Sequence, residues 1–184
     1  MQASDFYIVR KDEWYIERSV WLVSGVLALG STALSLFVHP SWVLMVTATG
    51  LASLGVAFTG FCPVGTGLLR LGFRPRLTGE LPRIGGGPIY RMRTDSWFLE
   101  RGVYLVVGTN LTLASLLSLA HSPGWLAFTG FVGAASVAFA ATGFCPVANV
   151  LYWLGFEPRL GPAAGTARPV ARDEAVGGQG TASA

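Results

Sequence analysis

The sequence predicts an all-α integral membrane protein with four transmembrane helices, and three observations lead there. No Asp, Glu, Lys or Arg occurs between Arg18 and Arg70, or between Arg101 and Glu157. Charged residues make up only 12% of the 184-residue chain, against about 25% in an ordinary globular domain, and the mean hydropathy is +0.52. Each uncharged span is interrupted near its middle by a proline turn. A transmembrane helix needs roughly 20 apolar residues to cross a hydrocarbon core of about 30 Å, so each span has room for two.

The elements follow in order. Residues 1–18 form a charged and aromatic N-terminal segment. The first apolar run that follows is too long for a cleaved signal peptide. A helix is expected over Ser19–Val38, then a turn at His39, Pro40 and Ser41, since proline lacks a donor and disfavours helix at the residue before it. Trp42 opens a second helix to Phe61, with its ring where an interfacial aromatic belongs. The first hairpin repeat, including a short segment after the break, covers residues 19–77. A basic linker and entry segment covers 78–101, in which "IGGGP" at Ile84–Pro88 reads as flexible, with no strand before it. The second hairpin repeat covers 102–160: a helix over Gly102–Ala120, a turn at His121–Gly124 and a helix over Trp125–Phe144. Both histidines read as solvated turn residues. The tail 161–184, rich in Gly, Ala, Pro and Thr, is expected to be disordered.

Orientation follows from the basic residues. All thirteen Lys and Arg lie in the N-terminal segment, the linker and the C-terminal region, and none in either turn. With four spans these regions share one side, and the positive-inside rule makes it the cytoplasm. The expected location is the bacterial inner membrane, with both termini cytoplasmic. The net charge of +3 then reports topology and attraction to lipid headgroups. The lipid bilayer is the expected partner, and nucleic acid is not.

The chain also repeats itself. Tyr7–Leu77 aligns without a gap onto Tyr90–Leu160, an offset of 83 residues, with 32 of 71 pairs identical. The hairpins are therefore expected as parallel repeats about an axis along the membrane normal. Small residues on the second helix of each, notably Gly50 and Ser53 with Gly133 and Ser136, are expected to bring those two helices together at the centre. Glu17-Arg18 and Glu100-Arg101 are expected to anchor the helix starts at the headgroups, with snorkelling side chains. Asn110 is a candidate for an interhelical hydrogen bond.

Each second helix ends in the same words, "TGFCPV". Gly60 and Gly143 suit a helix stop, and Pro63 and Pro146 suit the first turn of a new helix. Cys62 and Cys145, the chain's two cysteines, then fall at the N-cap of a short interfacial helix. The old helix's dipole raises a thiol pKa there and the new one's lowers it. They are the candidate thiol sites, weighed against a packing role for a small hydrophobe at a tight break. A disulfide is not expected in a reducing cytoplasm. Two cysteines supply half of a tetrahedral set, so no metal site is expected. No catalytic constellation, phosphate loop or dinucleotide pattern emerges, which points to a non-enzymatic protein without a cofactor.

On these residues each half resembles the YgaP-like inner-membrane transmembrane domain, a domain of unknown function. The matching features are the Glu-Arg entries, the proline turns at Pro40 and Pro123, the "TGFCP" exits, and the Leu71-Gly72 and Leu154-Gly155 pairs. In that family the hairpin is often fused to, or encoded near, a rhodanese domain that moves sulfane sulfur, and a single hairpin dimerises. The resemblance implies a thiol- or persulfide-handling module linked to sulfur metabolism, with a rhodanese-type sulfurtransferase as partner. Here the hairpin is duplicated like a fused dimer, and no rhodanese segment occurs, so sulfurtransferase activity of this polypeptide itself is not expected. Two alternatives stay open: a structural or assembly subunit of a larger membrane complex, and a small-solute conduit. The lack of intramembrane charge counts against the conduit.

Overall fold

The computed structural model describes residues 6–9, 13–78, 81–84 and 87–160. The tail from residue 161, expected to be disordered, lies outside them. Among the described residues the helices are α1 (Ile16–Phe37), α2 (Val43–Thr59), α3 (Pro63–Arg70), α4 (Leu99–Ala120), α5 (Trp125–Thr142) and α6 (Pro146–Trp153). A 3-10 turn over Pro40–Trp42 leads into α2. Four of these helical stretches, α1, α2 with its leading turn, α4 and α5, are long and apolar enough to cross a membrane. This is a multi-pass membrane protein by length and composition.

The distribution of side chains agrees with a lipid solvent. Ser31, Thr32, Ser35, Ser53, Ser115, Thr129 and Ser136 are buried, whereas Val26, Leu27, Leu51, Leu113, Leu116 and Phe131 face outward. Water would draw the hydroxyls out. Lipid, as apolar as leucine, leaves helix contacts to small and hydroxyl residues. Hydroxyl pairs bridge the helices at Thr32–Thr129 (2.9 Å) and Thr47–Ser115 (2.8 Å). Among the described residues these bonds, rather than one from Asn110, join the helices.

The packing corrects the expected centre. α2 lies mainly against α4, and α1 against α5, with smaller contacts within each hairpin. The second helices do not meet through their small residues. A Cβ on Gly50 would stand 2.7 Å from the backbone nitrogen of Thr112 on α4, and one on Gly133 would stand 3.0 Å from that of Leu29 on α1. The small-residue faces were legible, but a small side chain admits any close neighbour. Gly25 on α1 and Gly108 on α4 provided the facing surfaces. Ser53 and Ser136 turn back to their own helices, donating to the carbonyls of Thr49 and Val132. Trp21 of α1 and Tyr104 of α4, 83 residues apart, stack with ring centroids 4.3 Å apart.

Two further expectations change. α1 and α4 begin a turn earlier than Ser19 and Gly102, because Ile16 N–H donates to the Arg74 carbonyl and Leu99 N–H to the Glu157 carbonyl. The returning chain thus pins each helix start. "IGGGP" is not merely a flexible linker: Arg83–Ile84 (β1) pairs antiparallel with Gly87–Pro88 (β2).

Each proline turn is finished by its histidine. His39 Nδ1 accepts from Ser41 N–H at 3.2 Å, and His121 Nδ1 from Trp125 Nε1 at 3.4 Å. Both rings are exposed, as expected of turn residues.

Candidate functional site

The break after each second helix places the cysteines. α2 stops at Gly60 (φ 73°) and α5 at Gly143 (φ 75°), left-handed positions that favour glycine. A Cβ on Gly60 would also strike the Met92 carbonyl oxygen. Pro63 and Pro146 then start α3 and α6, where a missing N–H costs nothing. Cys62 Sγ accepts from Gly65 N–H at 3.2 Å, and Cys145 Sγ from Ala148 N–H at 3.5 Å. Both are N-caps, both are free thiols, and both are buried, at 3% and 8% exposure.

Burial pushes the Cys62 thiol up, and the N–H groups of Gly65 and Val64 pull it back only in part. Burial raises Cys145 in the same way, against Ala148 and Val147. At neutral pH each side chain is a thiol, not the thiolate that attacks sulfur or binds metal.

A buried carboxyl lies near each break. Glu17 is fully buried in the first turn of α1. Its Oε1 accepts from Arg76 N–H (2.9 Å), Leu77 N–H (2.7 Å) and the Tyr90 hydroxyl (3.0 Å). Glu100, at the start of α4, accepts from Arg159 N–H (2.9 Å), Leu160 N–H (2.6 Å) and the Tyr7 hydroxyl (2.7 Å). These glutamates are not headgroup anchors. Backbone donors of the returning "PRL" segments, residues 75–77 and 158–160, need acceptors, and a carboxyl at a helix N-terminus also suits the dipole. Burial first, then the facing glutamate, pushes the Tyr7 and Tyr90 phenols above their usual range.

The arginines turn inward as well, rather than snorkelling. Arg18 Nε donates to the Ala140 carbonyl at 2.7 Å, and Arg101 Nε to the Ala57 carbonyl at 2.6 Å. These carbonyls lie in the last turns of α5 and α2, where the helix leaves acceptors unpaired and the dipole is negative. Trp14 and Trp97 cover the guanidinium groups at 4.1 and 4.0 Å.

The partners cross between the halves. Tyr7 of the first half serves Glu100 of the second, and Tyr90 serves Glu17. Val9 N–H donates to the Gly143 carbonyl and Met92 N–H to the Gly60 carbonyl. Asn149 Oδ1 accepts from Tyr7 N–H, and Thr66 Oγ1 from Tyr90 N–H. The tyrosines were missed in the sequence, although they are the first identical pair at the 83-residue offset. A recess of about 10 Å³ between Arg18, Trp21, Phe139 and Leu160 holds no more than a water.

No family model, curated protein or solved structure matches the chain. Its chemistry is therefore read from the geometry alone. Among the described residues no three of His, Cys, Asp and Glu converge as metal ligands. Glu17, Tyr90 and Cys62 cluster at one break and Glu100, Tyr7 and Cys145 at the other. In both clusters the polar atoms are bonded to backbone or to one another. The arrangement is suited to holding helix ends and loops in register.

Proposed function

We propose that this chain is a non-enzymatic structural or assembly subunit of a membrane complex, built as two parallel-repeat hairpins in the bacterial inner membrane. The N-terminus, the linker and the C-terminus face the cytoplasm, and α3 and α6 lie along that surface. One observation carries the reading: the groups able to do chemistry are buried and used in fastening the helix ends. The lipid bilayer covers the outward leucines and phenylalanines, and another membrane protein is the partner. Reporter fusions at Ala184 and in the linker should both read cytoplasmic, and a periplasmic reading at either overturns the topology.

A second reading, thiol or persulfide handling beside a rhodanese-type sulfurtransferase, is favoured by one feature. Each Sγ sits at a helix N-terminus and receives an N–H, which suits a sulfur anion. It draws also on the resemblance to YgaP-like domains. The two readings separate by intact mass after a persulfide donor is added to the protein in mild detergent. The structural reading expects no added sulfur until the fold is opened. Sulfur acquired by the folded chain at Cys62 or Cys145 would move the assignment to the second reading.

A further inference from the structure

The surroundings of the two breaks differ in charge. Arg70, Arg74 and Arg91 are exposed around the break at Gly60–Pro63, where Phe61 and Leu71 are exposed too. At the matching places around the second break the chain carries Trp153, Glu157 and Ile8. The three arginines, on elements that adjoin that break, make up its basic rim. Arg70 ends α3 and lies against Gly87 of β2, and the Arg74 carbonyl holds the start of α1. Arg91 pairs with Phe61 across a bridge, and its Nε donates to the Thr59 carbonyl at 3.4 Å, with no partner for its terminal nitrogens among the described residues.

Among the described residues none of the three has an ion-pair partner, whereas Arg76 pairs with Glu13 and Arg159 with Asp95. Arg93, next along the chain, lies within electrostatic reach of Asp95 and is left out of the rim. Membrane orientation does not require this one-sidedness, because arginine near either break, on the same side of the membrane, serves it equally. Exposed guanidinium groups without an ion-pair partner among the described residues, on the same elements as exposed apolar side chains, suit a phosphate headgroup that carries an acyl chain.

We propose that this rim binds the headgroups of acidic phospholipid, at the first break and not at the second. The proposal rests on the membrane reading, but not on which face of the membrane the rim occupies. The test is native mass spectrometry of the full chain in mild detergent with phosphatidylglycerol or phosphatidylcholine added. The expected result is preferential retention of phosphatidylglycerol, weakening with salt.

Each arginine near a lipid surface is worth roughly fivefold in affinity. Arg70→Gln with Arg74→Gln should therefore lower retention roughly 25-fold. Arg168→Gln with Arg172→Gln, an equal loss of charge in the tail, should leave it nearly unchanged. Trp153→Arg with Glu157→Arg, both at exposed positions, should add a second retained lipid. Equal retention of the two lipids by the unaltered chain would overturn the proposal, as would equal loss in both double variants or no gain in the third. Reporter fusions report sidedness separately, so failure of the topology is distinguishable from failure of the lipid site.

Discussion

Replacing Glu17 by alanine removes the acceptor for three donors at once. The Arg76 N–H lies near solvent and regains water, which leaves the Leu77 N–H and the Tyr90 hydroxyl buried without a partner. An unsatisfied buried donor costs about 1–3 kcal/mol, so the variant should lose about 2–5 kcal/mol after partial relaxation. Glu17→Gln keeps Oε1 and its three short bonds. It gives up the charge and the 3.2 Å bond at Oε2, a loss of about 1 kcal/mol. Reversible unfolding in mixed micelles measures both. A double-mutant cycle adds the specific test, because Tyr90 serves Glu17 whereas Tyr7 serves Glu100. Tyr90→Phe with Glu17→Ala should show a coupling of about 0.5–3 kcal/mol, and Tyr7→Phe with Glu17→Ala should be additive within about 0.5 kcal/mol. Equal losses for alanine and glutamine, or equal coupling to both tyrosines, would refute the account of the latch.

Two other perturbations follow from the same geometry. Gly50→Leu and Gly133→Leu should each lower stability by about 1–3 kcal/mol or more, since their Cβ atoms meet backbone at 2.7 and 3.0 Å. Gly55→Leu, which meets nothing within 4 Å, should stay within about 0.5 kcal/mol in the same micelle unfolding measurement. A maleimide should label Cys62 and Cys145 slowly in the folded protein at neutral pH and rapidly after unfolding. The folded-state rate should still be climbing as pH passes the ordinary thiol range, because burial raises both pKa values. Fast labelling of the folded chain at neutral pH would contradict the burial.

The number of long helices was legible because a hydrocarbon core imposes a length and excludes charge, and both constraints are written in one dimension. The break was legible too: Gly60, Cys62 and Pro63 act on their own backbone within a few residues, as do Gly143, Cys145 and Pro146. What could not be read was which distant surface each group meets. Glu17 and Arg18 adjoin a charged segment, so position alone suggested headgroups. Their acceptors and donors, residues 76–77 and 140, lie 59 to 122 positions away. Gly50 and Gly133 failed as a pair for a related reason. Smallness states that something comes close, and the identity of the neighbour is decided by Gly25 and Gly108 on the other helices.

The exchange of partners between the halves also has a time axis. Arg18 and Ala140 are separated by 122 residues, and a ribosome adding about 5–20 residues per second needs on the order of 10 s to make that stretch. During that interval α1 is already synthesised while its main neighbour, α5, does not exist. Tyr7 likewise lacks Glu100 for most of that interval and Asn149 for all of it. The first hairpin must be held in the bilayer with these groups unmatched, so a delay in translation falls on an unfinished intermediate and not on a folded half. Two chains stalled side by side in that interval each expose the faces of α1 and α2 that await α5 and α4. Once their second halves emerge, each can close on the other instead of on itself.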